Sequence, residues 1–215
     1  MTTCRRYYLD KLLLDFNFYG NVLDIGGKKT NKRGIFRPPI QTVETWRYLN
    51  TDKSTCPDFL CSATSVSIKE NLFDIVILTE VLEHIDNPTD VIQESRRILK
   101  HSGKILISMP FLYPVHGDPN DFQRWTKEKL KMELTENGFI IDRIQTMGGF
   151  FSVIYDLCLY SLRKSSKNQR AIKNRILLKL FFPYLFKIVI RLDKIYDYKA
   201  NWITTGYFLI GTKVE

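Results

Sequence analysis

Thirteen residues, Pro114 to Thr126, hold a histidine, two aspartates, an arginine and two aromatic side chains directly after a run that reads as a buried strand. An imidazole ionises near neutral pH and can take a proton from a hydroxyl, so His116 is the candidate general base. Gly117 behind it lets the loop turn inward. Asp118 and Asp121 are placed to orient that ring or to hold acceptor hydroxyls, and Arg124 carries the planar fork that grips a phosphate or carboxylate. Tyr113, Phe122 and Trp125 offer faces on which a sugar or another ring can stack. The competing reading is structural: Asp118-Pro119-Asn120-Asp121 is a solvated turn into a helix capped by Thr126, with Trp125 in the core.

The elements that must hold this loop are legible from periodicity. NVLDIGG, FDIVILTE and GKILISMPF are near-continuous apolar runs of the kind buried on both faces of a parallel sheet, and RYLNTD and DFLCSA read as shorter strands. Between the second and third long runs, NPTDVIQESRRILKHSG predicts a helix with Asn87 or Asp86 as N-cap and Pro88 in its first turn. Val91, Ile92, Ile98 and Leu99 form its buried stripe, and Gly103 is its stop. Thr126 to Asn137 repeats the pattern, with Leu130 and Leu134 four apart and Gly138 before the strand FIIDRIQ. A strand, crossover helix, strand order of this kind makes a parallel, doubly wound α/β sheet.

In such sheets ligands bind where strand carboxyl ends meet the loops that follow. Those ends carry Asp24-Ile25-Gly26-Gly27, Asn50-Thr51-Asp52, Ser62-Ala63-Thr64, Thr79-Glu80 and Tyr113 to Trp125, and all of them are expected at one crevice. His84, in the loop before a helix, reads as a backbone-bonded residue that shapes the cleft. His101 reads as a complement to a helix dipole.

At this point the chain resembles a class I S-adenosylmethionine-dependent methyltransferase of the type 11 kind. VLDIGG resembles that family's first motif, and FDIVILTEVLEHIDNP with RRILKHSGKILISMPF resembles its fourth-strand, helix and fifth-strand block, so the likeness runs from about Asn21 to Ile144. GGKK and PFLYPVHGDPNDFQRWT are similar to a bacterial branch associated with surface-polysaccharide gene clusters. The resemblance implies a mainly parallel seven-stranded Rossmann-like sheet and S-adenosylmethionine as cofactor. It also implies that Gly26 and Gly27 let the backbone approach the methionyl end, that Asp24 orients that end, and that Asp52 accepts the ribose hydroxyls. Ser62 and Ala63 would edge the adenine, and Thr79 and Glu80 would line the same crevice. Lys28 stands where the family usually has another glycine, and KTNKRGIFRPPIQ has two prolines and poor helical spacing, so the usual first helix is expected to be short or missing.

Composition narrows the acceptor. The position after the fourth strand reads LTEVLEH, without the Asn/Asp-Pro-Pro-Tyr type of segment expected of an amino-nucleobase enzyme, which argues against nucleic acid. A glycan, glycolipid, lipid-linked precursor or small hydrophobic acceptor such as a quinone precursor fits the loop. A catalytically inactive binding scaffold is the alternative outside enzymology. The four cysteines, Cys4, Cys56, Cys61 and Cys158, form no CxxC pair and no metal-like grouping with the three histidines, so no metal is expected and a reducing cytoplasm is the default compartment.

The net charge of +9 is concentrated in the last third: residues 1–150 carry 20 basic and 19 acidic side chains, residues 151–215 carry 12 and 4. Between FIIDRIQ and the last strand-like run, TTGYFLIGTK, residues 146–203 form an expected helical insertion within a single domain spanning 1–215. It combines aromatic GGFFSVIYDLCLYSL, basic RKSSKNQRAIKNR and apolar ILLKLFFPYLFKIVIRL. Lys179, Lys187, Arg191 and Pro183 spoil a membrane-spanning helix. Residues 157–192 therefore suggest contact with the inner membrane face, a lid, or a homodimer interface.

Overall fold

The computed structural model describes residues 2–30, 32–117, 120–166, 178–196 and 203–215. Seven strands, β1 (Asn21–Ile25), β2 (Thr45–Asn50), β3 (Phe59–Leu60), β4 (Phe73–Thr79), β5 (Leu99–Pro110), β6 (Phe139–Thr146) and β7 (Gly206–Lys213), form one sheet in the order β3-β2-β1-β4-β5-β7-β6. The pairs from β3 through β5 are parallel, and β7 runs antiparallel to both β5 and β6. Strand order reverses between β1 and β4, and that switch point opens the crevice in a doubly wound sheet. The architecture is the one expected from the alternation of apolar runs and helical spacing.

Helices α1 (Cys4–Leu14), α2 (Pro88–Ile98) and α3 (Lys127–Glu136) pack on the sheet, and α4 (Phe150–Ser166) and α5 (Phe182–Tyr196) pack on α1 and on each other. On one face, Val91, Ile92 and Ile98 of α2 and Leu130 and Leu134 of α3 pack against Leu23, Val76, Leu78, Ile105 and Ile107. Each such side chain, fully buried, contributes about 1.5–3 kcal/mol. Thr126 caps α3 as expected, its Oγ1 accepting from Lys129 N at 3.2 Å. Asn87 stands at the cap of α2 without a side-chain cap bond, leaving Pro88 to set the first turn.

Two expectations change here. Helix α2 ends at Ile98 and not at Gly103, because Leu99 already pairs with Phe73 in the sheet. Ser102 takes φ +59, and a Cβ on Gly103 would lie 2.8 Å from Lys100 O, so Gly103 serves a tight irregularity within β5 and not a helix stop. His101 consequently sits on that exposed irregularity.

No helix lies between β1 and β2 among the described residues, as the prolines there foretold. The opposite sheet face is covered instead by α1, whose Leu9 and Leu13 pack with Val22, Phe36, Ile75, Ile77 and Phe208. Helix α1 in turn is held by the insertion. The Asp156 carboxylate, on α4, accepts from Cys4 N at 2.7 Å and Arg5 N at 3.1 Å, capping α1 from outside its own chain segment. Asp193 of α5 does the same for α4, accepting from Gly149 N at 3.0 Å and Phe151 N at 3.1 Å.

Burial pushes the Asp156 carboxyl up from 3.8 to about 6, against the backbone bonds and nearby Arg5 that favour its charge. A raised folded-state value means the folded chain holds a proton that the unfolded chain has lost. That stabilisation is complete below about pH 4 and disappears as pH rises through 6, a change of about 3 kcal/mol. Asp156→Asn removes the titration while keeping one acceptor. Chemical denaturation should therefore show the parent gaining up to about 3 kcal/mol on this variant between pH 8 and pH 4.

Candidate active site

The β1 end is shaped by close backbone approach. Gly26 adopts φ +77, and a Cβ there would meet Val81 Cγ2 at 2.6 Å. A Cβ on Gly27 would lie 2.4 Å from Asp24 Cγ, so the loop closes directly over that carboxylate. Asn50 ties the β2 loop to it, donating Nδ2–H to Gly26 O at 3.2 Å and to Gly27 O at 3.1 Å. Burial raises the Asp24 carboxyl to about 6, opposed by Lys32, the Trp46 indole and Arg6. Lys32 also donates to Tyr48 Oη at 2.5 Å. Asp24 thus supports the glycine turn from beneath.

Asp52 follows β2 on an exposed loop. Its carboxylate caps a single 3-10 turn, accepting from Ser54 N at 2.9 Å and Ser54 Oγ at 2.8 Å, and these bonds lower its pKa. Carboxylate oxygens carry about four lone-pair sites, so this cap leaves capacity for further donors. After β3, Ser62 and Thr64 bond each other through their hydroxyls at 2.8 Å beside the buried methyl of Ala63.

Thr79 closes β4 opposite Ser108, and Glu80 then takes a left-handed φ of +59. That turn lets the Glu80 carboxylate accept from Ser108 Oγ at 2.9 Å and pair with Arg5, which arrives from α1. The Arg5 guanidinium also lies 3.9 Å from the centre of the Tyr113 ring.

At the β5 end, Tyr113 meets His116 edge to face at 5.3 Å, and His116 meets His84 in the same way at 5.3 Å. Asp121 organises this loop. It accepts from His116 N at 2.8 Å and grips Arg124 with both oxygens, and the guanidinium holds its carboxyl down at about 2. Burial, with Arg5 nearby, lowers the pKa of half-buried His116 below the usual imidazole value. The ring is therefore neutral at neutral pH. Glu83 lies at the centre, 0% exposed, with neither carboxylate oxygen hydrogen-bonded.

His116, Asp121, Arg124, Tyr113 and Glu80 thus share the rim with the β1 loop through Val81. Trp125 is corrected: it is 6% exposed, packs in the main core and donates its indole N–H to Gln123 Oε1 at 2.9 Å, so its faces are not offered to a ligand. Arg124 keeps its place but is already neutralised by Asp121. Asp118 lies outside the described residues. Reasoning from sequence missed Arg5 and the burial of Glu83, because neither a helix forming 75 residues upstream of Glu80 nor the depth of a carboxylate leaves a local pattern. Two surface depressions of about 470 and 500 Å3, lined by residues such as Lys11 and Arg143 or Glu70 and Arg96, include none of these rim residues.

Residues 41–107, from just before β2 into β5, match the family model described as a methyltransferase domain. That stretch is similar to a methyltransferase domain, and the sheet has the class I methyltransferase fold. Solved structures agree in fold. A 4+2 cyclase, SpnF, superposes with a TM-score of 0.61 at 19% identity, covering 96% of this chain and 80% of its own. A protein of Bacillus halodurans C-125, provisionally named a methyltransferase, gives 0.60 at 17% identity, covering 95% and 97%. Phosphoethanolamine N-methyltransferase 2 of Haemonchus contortus, solved with S-adenosylhomocysteine, gives 0.59 at 16% identity over 97% of this chain. The chain spans about half of that enzyme, 53% of its length. No curated protein sequence matches the chain. The residues present suit the cofactor: a glycine turn that any Cβ would fill lies beside the half-buried Asp24, and the acidic β2 loop faces the same edge of the sheet.

Proposed function

We propose that this chain is an S-adenosylmethionine-dependent methyltransferase that transfers a methyl group to an oxygen of a glycan, glycolipid or lipid-linked precursor. The observation that carries the oxygen acceptor is the state of His116. Its Nδ1 lies 3.2 Å from Pro114 O, an atom that can only accept, so Nδ1 carries the hydrogen and Nε2 keeps its lone pair. When bound, S-adenosylmethionine supplies a sulfonium-activated methyl group that an acceptor lone pair displaces in line. His116 Nε2 takes the hydroxyl proton, the Asp121 carboxylate holds the loop by accepting from the backbone N–H of His116, and Tyr113 flanks the acceptor. We place the cofactor against Asp24, Gly26, Gly27, Asp52, Ser62, Ala63, Thr79 and Glu80. Because burial lowers the His116 pKa below the usual imidazole value, the midpoint of the acid limb of the rate profile should lie below pH 6.5. An acid limb at or above pH 7 would exclude neutral His116 as the base.

The lipid-linked part of the proposal is supported by the outer surface of the insertion. Helix α5 exposes Tyr184, Ile188 and Ile195 on one face at helical spacing, with Lys187, Arg191 and Lys194 alongside. No described helix is long and apolar enough to cross a membrane. An apolar face bordered by cations is suited to lie at an anionic bilayer surface. The full chain should co-float with vesicles containing anionic lipid, and the double variant Tyr184→Glu, Ile188→Glu should stay in the dense fraction. Equal flotation of both proteins, or of neither, removes the membrane part. The acceptor itself is tested by transfer of labelled methyl to lipid-linked glycans against free sugars and quinone precursors.

A further inference from the structure

Three side chains that can offer electron pairs, Glu83, His84 and His116, converge at the acceptor end of the cleft. His84 Nδ1 lies 2.5 Å from Asn120 O and His116 Nδ1 lies 3.2 Å from Pro114 O. A carbonyl oxygen only accepts, so both rings carry their hydrogen on Nδ1 and present a bare Nε2. His84 Nε2 points at Glu83 Oε1 across 3.7 Å, and one ligand atom from each of Glu83, His84 and His116 lies within 4.8 Å of the other two. Glu83 is wholly buried, and both its oxygens lack a hydrogen-bond partner. A buried carboxylate without a donor is costly, and something cationic must meet it or it must keep a proton. Arg5 and Arg124 are near enough to favour its charge, but Arg5 pairs with Glu80 and the two terminal nitrogens of Arg124 go to Asp121, leaving only Arg124 Nε without a partner.

We infer that Glu83, His84 and His116 form a binding site for a divalent first-row transition ion, coordinated by one carboxylate oxygen and two imidazole Nε2 atoms. Two imidazoles with one carboxylate suit zinc, manganese, iron or nickel and not calcium, which prefers six to eight oxygens. Bonds of about 2.0–2.2 Å would draw the three donors together by roughly an ångström. The backbone carbonyls on both Nδ1 atoms are the outer partners that fix the tautomer of metal-binding histidines. Three protein ligands leave at least one coordination position for an oxygen of the acceptor. The inference rests on the acceptor-site reading and replaces one step of it: an ion here takes the Nε2 lone pair, so His116 acts as a ligand in place of a base, and the ion lowers the pKa of the hydroxyl it coordinates, whose proton passes to solvent.

Calorimetry with Zn2+ and electron paramagnetic resonance with Mn2+, on metal-stripped full-length protein, test the site directly. Expected are one Zn2+ per chain with a micromolar or tighter Kd, and at least tenfold weaker binding in His84→Ala and in His116→Ala. His101→Ala, which removes the remaining, exposed imidazole, should bind as the parent does. Circular dichroism confirms that each variant is folded, and Glu83→Gln serves as a second ligand variant of nearly unchanged shape. Absence of saturable binding, or binding untouched by His84→Ala and His116→Ala, overturns the inference. S-adenosylhomocysteine titrated into the same metal-stripped protein separates the two readings. Cofactor binding without metal binding defeats only the ion site, whereas the loss of cofactor binding in folded parent protein defeats the methyltransferase reading of the crevice.

Discussion

His116→Ala is expected to lower turnover by roughly a hundredfold to a thousandfold, the range for removing a positioned proton acceptor, while the Kd for S-adenosylhomocysteine stays within about twofold. The asymmetry follows from where the ring sits. His116 is held by the β5 loop through Asp121 and Pro114, and none of its recorded contacts reaches Gly26, Gly27 or Asp52. Loss of the imidazole therefore leaves the β1 turn intact. His116→Gln restores a polar side chain of similar reach without the same basicity, and it should recover little. Single-turnover rates with labelled cofactor make the measurement independent of product release. Turnover within threefold of the parent would remove His116 from the chemistry.

Gly27→Ala should weaken binding of S-adenosylhomocysteine roughly 30-fold, about 2 kcal/mol. The added methyl would stand 2.4 Å from both Cγ and Oδ2 of Asp24, far inside contact distance, and Lys32 and Trp46 lie close enough to Asp24 to favour its charge. Either the carboxylate or the backbone of the turn must move, and the turn is what offers amide groups to an anionic ligand end. Because the clash is pairwise, the double variant Asp24→Ala, Gly27→Ala should cost less than the sum of the singles, a non-additivity read by calorimetry. Unchanged affinity in Gly27→Ala would mean that the cofactor does not approach this turn.

Much of this framework could be read before any coordinates. Apolar runs of seven to nine residues separated by helical spacing specify a parallel sheet, because only strands buried on both faces need such runs. Thr126 and Gly138 marked α3 through the chemistry of helix ends. What escaped the sequence was non-local. LKHSG reads as a continuing helix until Phe73 claims Leu99 for the sheet. Helix α1 carries charges at Arg5, Arg6, Asp10 and Lys11 that hide its apolar side, yet Asp156 and the Leu9 and Leu13 contacts hold it against the sheet.

The site divides in the same way. Strand-end positions follow from topology alone, so Asp24, Gly26, Gly27, Thr79, Glu80 and His116 could be named from their order along the chain. Trp125 could not be judged, since an indole two residues after Gln123 stacks on a ligand or fills the core with equal economy, and only packing decides. Glu83 reads from sequence as one more acid beside a histidine. Its burial against His84 and His116 is a product of how the β4 and β5 loops fold over each other, with Phe122 N bonded to Glu83 O at 2.8 Å.

A crystal structure of the full chain with S-adenosylhomocysteine addresses the central claim most directly. The account predicts the methionyl carboxylate at the Gly26-Gly27 turn, the ribose within hydrogen-bond distance of Asp52, and the sulfur facing the side of the cleft that holds His116 Nε2. Ligand density away from the β1, β2 and β4 carboxyl ends, for instance in the depression lined by Lys11 and Arg143, would contradict it.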